Sequence, residues 1–138
     1  MKTYSTIIAG SRTVEHIEHV EMAIEASGFR ITEVLSGCAA GADLFGEQWA
    51  KRRLIPILRF PAKWNDLSHP NALIKTNATG RKYDARAGHR RNEEMCRYAD
   101  QLIAIWDGKS RGTADVIDRA RRYGLAVFVF NYGERSVG

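Results

Sequence analysis

A run of small residues, Ser36-Gly37-Cys38-Ala39-Ala40-Gly41-Ala42-Asp43, separates an apolar segment ending at Leu35 from a helical pattern beginning near Leu44. Where a strand ends and a helix begins, the unpaired N–H groups of the first helical turn point out of the sheet, and Gly37 and Gly41 let a ligand approach the backbone. That is a cradle of phosphate size. It matches neither the dinucleotide fingerprint G-x-G-x-x-G nor the P-loop G-x-x-x-x-G-K-[ST], and by itself it also reads as a plain tight turn. Two further loops share its chemistry. Gly10-Ser11-Arg12-Thr13 and Asp107-Gly108-Lys109-Ser110-Arg111-Gly112-Thr113 each combine glycine with hydroxyl side chains, suited to donors converging on anionic oxygens.

The elements that must position these loops follow from hydrophobic periodicity. Strands are expected over 4–9, 31–35, 55–60, 101–106 and 125–130. Val14, Ile17, Val20 or Glu21, and Ile24 mark a first helix stopped by Gly28 in the left-handed conformation. Leu44, Phe45, Gln48 and Trp49 mark the inner face of a second, with Lys51-Arg52-Arg53 at its C-terminal end, where cations suit the helix dipole. A third spans 87–98, with Arg90, Arg91 and Asn92 in its first turn and Met95 toward the core. The fourth buries Val116, Ile117, Ala120 and Tyr123 and ends at Gly124. The polar stretch 61–86 shows no clear helix or strand. At that length it reads as a binding loop, a lid or a disordered segment, with Trp64 and Tyr83 arguing against full disorder.

Apolar strands alternating with amphipathic helices predict an α/β protein, a Rossmann-like parallel sheet of about five strands with helices on both faces and right-handed crossovers. In such sheets ligands sit beyond the C-terminal strand ends, where the strand order reverses. All three loops fall at that edge.

The 138 residues suffice for one domain with a proper core, the stretch 61–86 being an insertion in it. At 44% hydrophobic and 27% charged, the chain has a globular composition, with no apolar run long enough to cross a bilayer. Met1-Lys2-Thr3 leads directly into a strand, so no secretory signal is read and a cytoplasmic location is expected. Cys38 and Cys96 fit no metal spacing and are expected to be reduced thiols. His16, His19, His69 and His89 share no ligand spacing, and no cofactor or metal is called for. A net charge of +5 favours anionic partners, phosphorylated small molecules and nucleic acid alike.

Gly10-Ser11-Arg12, Ser36-Gly37-x-Ala39-x-Gly41-Ala42-Asp43, Arg91-Asn92-x-x-Met95 and Trp106-Asp107-Gly108-x-Ser110-x-Gly112-Thr113 together resemble the YspA-like branch of the SLOG superfamily. That superfamily also holds Smf/DprA and the "Lonely Guy" phosphoribohydrolases. The resemblance covers about 4–130 and implies a nucleotide-derived ligand at the loop edge, bound or sequestered as a signal. It also implies two alternatives. Phosphoribohydrolases cleave the N-glycosidic bond of nucleoside monophosphates with the glutamate of P-G-G-x-G-T-x-x-E. Val116 stands at that position here and cannot act as acid or base, which leaves Asp107, Asp115 or Asp43 as substitutes. Smf-like proteins bind single-stranded DNA. Arg81, Lys82, Arg86, Arg90 and Arg91, with Tyr83 and Trp64 for stacking, suit that role, although a chain of this size is expected to lack the additional domains usual in that branch.

Several residues carry two readings. Arg12 contacts phosphate or is merely exposed; Asp43 caps the second helix or holds a ribose hydroxyl; Ser110 and Thr113 serve as cap and ligand contact together. Arginine is disfavoured in a first helical turn, so Arg91 points to a ligand or a charged neighbour. Trp106 plugs the sheet end, Trp49 is core, and Arg119, Arg121 and Arg122 form a solvated face. The stretch 61–86 is expected to close over a base or to join a homo-oligomer interface.

Overall fold

In the computed structural model, which describes residues 2–133, β1 (Ser5–Gly10), β2 (Glu33–Ser36), β3 (Ile57–Arg59), β6 (Gln101–Trp106) and β7 (Ala126–Asn131) form one parallel sheet. Its order is β3-β2-β1-β6-β7. The chain winds outward from β1 through β2 to β3, then returns to the other side of β1 for β6 and β7. The order therefore reverses between β1 and β6, and a crevice opens beyond their C-terminal ends.

Period-2 alternation sends neighbouring side chains of each strand to opposite layers. Ile7, Ala9, Leu102 and Ala104 meet Met95, Cys96, Val116, Ile117 and Ala120 from α3 (Ala87–Tyr98) and α4 (Arg111–Arg122). Ile8, Val34, Ile103 and Ile105 meet Val20, Ala23, Ile24, Trp49 and Ala50 from α1 (Ile17–Ser27) and α2 (Ala42–Arg52). Because both faces are covered, β1 and β6 are apolar over 7–9 and 102–105, and of the polar residues at their starts, Gln101 donates to the Thr6 hydroxyl at 2.7 Å. Gly28 ends α1 at φ 66°, its N–H donating to the Glu25 carbonyl at 3.2 Å. Among the described residues, no helix is long and apolar enough to cross a membrane.

Three expectations need correction. The inner face of α2 is rotated: Leu44 and Gln48 are exposed, while Ala42, Gly46 and Ala50 are buried with Trp49. Small residues win because the helix lies close against β1, where a Cβ on Gly46 would stand 2.7 Å from Ile8 Cγ2. Tyr123 is 43% exposed, its hydroxyl accepting from Arg97 Nε at 3.2 Å and donating to Glu93 Oε1 at 3.1 Å across the α3–α4 seam.

The third correction concerns 61–86, which holds an antiparallel hairpin of β4 (Ile74–Thr76) and β5 (Lys82–Asp84). Its strands are short and mostly exposed, so no apolar alternation announces them. Polar chemistry builds it instead. Asn77 Oδ1 accepts from the N–H of Thr79 and Arg81, at 3.0 and 2.9 Å, to form the turn. Fully buried Asp84 accepts from the N–H of Leu73 and Arg86, both at 3.0 Å, and pairs with Arg90 of α3. Asp84→Ala would orphan those donors. The expected result is a loss of about 2 kcal/mol, felt mainly as release of the hairpin. Limited proteolysis should then cut within 73–84, and an unchanged cleavage pattern would rule this anchoring role out.

Candidate functional site

Ser11 joins the loops that follow β1, β2 and β6. Its N–H donates to the Ile105 carbonyl at 2.9 Å, and its own carbonyl accepts from Val14 and Ala42, each at 3.3 Å. Its hydroxyl accepts from the Asp107 N–H at 3.1 Å. Gly41, the residue before α2, completes the contact at φ 80°. A Cβ there would stand 2.5 Å from the Ser11 oxygen and 2.7 Å from the Arg12 oxygen. Asp107 shapes the third loop by accepting from the N–H of Lys109 and Ser110, both at 2.8 Å. Those bonds, Ser110 first, hold its carboxyl below the usual range. Ser110 caps α4 by accepting from the Thr113 N–H at 3.4 Å, and Thr113 Oγ1 lies 3.1 Å from the Ser110 hydroxyl.

The opposite wall comes from α3. Arg91 donates to the carbonyls of Gly37 and Phe60 and, through Nε, to Asn92 Oδ1 at 2.9 Å. Asn92 Nδ2 reaches the Gly112 carbonyl at 3.3 Å and Asp115 Oδ2 at 3.0 Å. Asp115 also binds His89 Nδ1 at 3.1 Å and Arg119 Nε at 2.9 Å. Burial pushes the Asp115 carboxyl up, but the donors from Asn92, Arg119 and His89 outweigh it and leave the group below its usual range. Burial also lowers the Arg91 guanidinium, with Asp43 pulling the other way.

These walls enclose a pocket of about 450 Å³. Of the residues singled out in the sequence, Gly10, Ser11, Arg12, Ala39, Asp43, Arg91, Asn92, Asp107, Ser110, Gly112 and Thr113 line it. Others stand behind the wall. Ser36 is fully buried and donates to Glu47 Oε2 at 2.6 Å, while Arg59 Nε meets the other Glu47 oxygen at 2.9 Å. Gly41 and Ala42 build the start of α2, Gly108 turns its loop at φ 79°, and Gly37 faces a neighbouring hollow.

Two placements differ from expectation. Since α3 begins at Ala87, Arg91 and Asn92 lie in its second turn, and Arg91 serves as a clasp on the carbonyl of Gly37. Asp43 makes no side-chain cap on α2; its Oδ2 accepts from the Ala39 N–H at 3.3 Å, closing the loop on itself. Only 4% exposed, its carboxyl is pushed up to about 6 by burial, against the pull of Arg91, the N–H groups of Ala39 and Gly10, and Arg12.

Trp64 and Arg111, from stretches read as facing the ligand, also line the pocket, as do Gly88 and His89, which the sequence did not single out for it. A Cβ on Gly88 would stand 2.8 Å from the Trp64 ring, so the indole lies on bare helix backbone, with Tyr83 edge-on at 6.4 Å between centroids. A tryptophan in an otherwise polar insertion is the signal that marks it in the sequence, whereas Gly88 and His89 carry none. First-turn residues of α2, α3 and α4 (Asp43, Gly88, His89, Gly112 and Thr113) all reach the pocket, which places the positive ends of three helix dipoles around one space. With Arg12, Arg91 and Arg111 added, the arrangement attracts an anion. Asp43 and Asp107 supply acceptors for hydroxyl groups.

No protein-family model matches the chain, and no curated protein matches it by sequence. Among solved structures, the chain is similar to DNA processing protein A (DprA) from Streptococcus pneumoniae, with a TM-score of 0.63 at 19% identity over 92% of this chain and 50% of that one. The chain thus spans half the length of that relative. At this identity the likeness concerns the fold, and it relates the five-stranded parallel sheet to the DprA type of Rossmann-like architecture.

Proposed function

We propose that the chain binds a nucleotide-derived small molecule, as the YspA-like resemblance implies. One observation carries the reading: three loops from strand ends and the first turns of three helices line one pocket at the point where the strand order reverses. In this reading Ser11, Arg12 and the first turn of α4 take phosphate, Asp43 accepts from ribose, and Trp64 lies against the base. Retention is favoured over cleavage, because Val116, at the position of the phosphoribohydrolase glutamate, is 1% exposed on the pocket wall.

Calorimetric titration with nucleoside monophosphates, cyclic nucleotides and ADP-ribose tests the proposal, with binding of at least one expected. Gly37→Glu should abolish it, since a Cβ there collides with the Arg91 guanidinium and stands 2.8 Å from Asp43 Oδ2. Exposed Arg12 offers a variant that leaves the fold alone. Arg12→Ala should weaken binding by about tenfold or more, the loss of one charge-assisted hydrogen bond. If no nucleotide binds, or Arg12→Ala leaves affinity unchanged, the proposal is lost.

A second reading draws on the Smf/DprA resemblance and on the exposed basic residues Arg81, Lys82 and Arg86 along the hairpin. It predicts single-stranded DNA binding that weakens steeply with salt, because phosphate neutralisation releases counterions. Absence of binding at low salt dismisses it.

A further inference from the structure

Beside the pocket lies a second hollow of about 290 Å³. Arg12, Ala39, Trp64 and Arg91 line both and so form the partition between them. The two spaces differ in chemistry. The larger carries hydroxyls, carboxylates and helix N-termini, whereas the smaller is walled by Gly37, Cys38, Ala40, Pro61 and Ala62 besides the partition. Its own wall offers no hydroxyl or carboxylate side chain to a sugar or phosphate; small apolar residues and an indole suit a planar ring.

The partition is the cationic part. Two guanidiniums shared by adjoining spaces can hold phosphate oxygens with one substituent on each side. The loop that walls the smaller space is held in a fixed conformation. Cys38 is held at φ 64°, a left-handed conformation that costs a non-glycine residue about 1 kcal/mol or more, and its N–H is fastened to the Ser36 hydroxyl at 3.1 Å. The bare Cα of Gly37 leaves room for Arg91 to reach the loop.

We infer that the smaller hollow is a second ring subsite, and that the ligand is a pyrophosphate-bridged dinucleotide whose bridge lies between Arg12 and Arg91. The inference rests on the nucleotide-binding reading above and specifies its ligand class. A mononucleotide fills only the larger pocket.

The test compares AMP and ADP with NAD and diadenosine diphosphate by calorimetry on the intact chain. At least one dinucleotide is expected to bind tenfold or more tighter than AMP and ADP. Ala40→Trp and Ala62→Trp fill the smaller hollow from two positions, one exposed and one half-buried, where a larger side chain leaves the core intact. Each variant should reduce dinucleotide affinity to the level of AMP while AMP binding stays unchanged. The inference is overturned if dinucleotides bind no tighter than AMP, if neither variant affects them, or if the variants weaken AMP by the same factor, which would make the hollow the base site of a mononucleotide. Failure of every nucleotide to bind, AMP included, instead defeats the parent reading.

Discussion

Gly10→Ala is expected to lower stability by about 3 kcal/mol or more, enough to leave a domain of ordinary stability largely depleted of its margin. Gly10 closes β1 opposite Ile105 in the central pair of the sheet. A Cβ there would collide with the Ile105 carbonyl oxygen and stand 2.8 Å from Ala42 Cβ. Neither neighbour is a flexible side-chain end: one is ladder backbone, the other the first residue of α2. Relief therefore requires parting β1 from β6 or lifting α2, and either movement breaks the bonds through which Ser11 joins the three loops. Urea denaturation should show a lower midpoint at unchanged slope. A midpoint within error of the parent would refute the close approach.

The same tightness explains what the sequence disclosed and what it hid. An apolar run marked β6 at its observed limits of Gln101–Trp106, and α3 was legible at Ala87–Tyr98 although it is largely polar, its buried side being carried by Ala87, Asn92, Met95 and Cys96. The face of α2 was misread because hydrophobicity favours large residues, whereas a helix pressed onto β1 buries small ones, Ala42 and Gly46. The hairpin was hidden because Asn77 and Asp84 hold it through hydrogen bonds that leave no periodic trace. At the site, glycine and hydroxyl loops following apolar strands identified the wall contributed by β1, β2 and β6. The α3 wall was only half legible. Arg91 and Asn92 stood out by residue type, but partners such as Gly37 and Asp115 are distant in sequence, and His89 acquires meaning only through its 3.1 Å contact with Asp115.

Asp43→Asn is expected to stabilise the protein at neutral pH while weakening ligand binding. Burial raises the Asp43 carboxyl from an ordinary 3.8 to about 6. Between those values the folded state holds the proton more tightly than the unfolded chain, so this group's contribution is fully present below pH 3.8 and is lost as pH rises through about 6. The difference corresponds to about 3 kcal/mol. Asparagine does not ionise, yet its carbonyl oxygen can still accept from the Ala39 N–H, so the variant and the parent should be nearly equal in stability at pH 4 and diverge to about 2–3 kcal/mol by pH 8, the variant being the more stable. Denaturation at several pH values checks this, and parallel curves across the range would reject the ionisation argument. A carboxylate kept where it costs stability, beside Arg12 and Arg91, needs a compensating use. In the proposed reading that use is recognition of ribose hydroxyls, for which a carboxylate offers two acceptor oxygens and an amide only one. The proposed function therefore requires Asp43→Asn to lose affinity for a nucleotide under the conditions in which it gains stability, and a variant that gained both would sever Asp43 from ligand recognition.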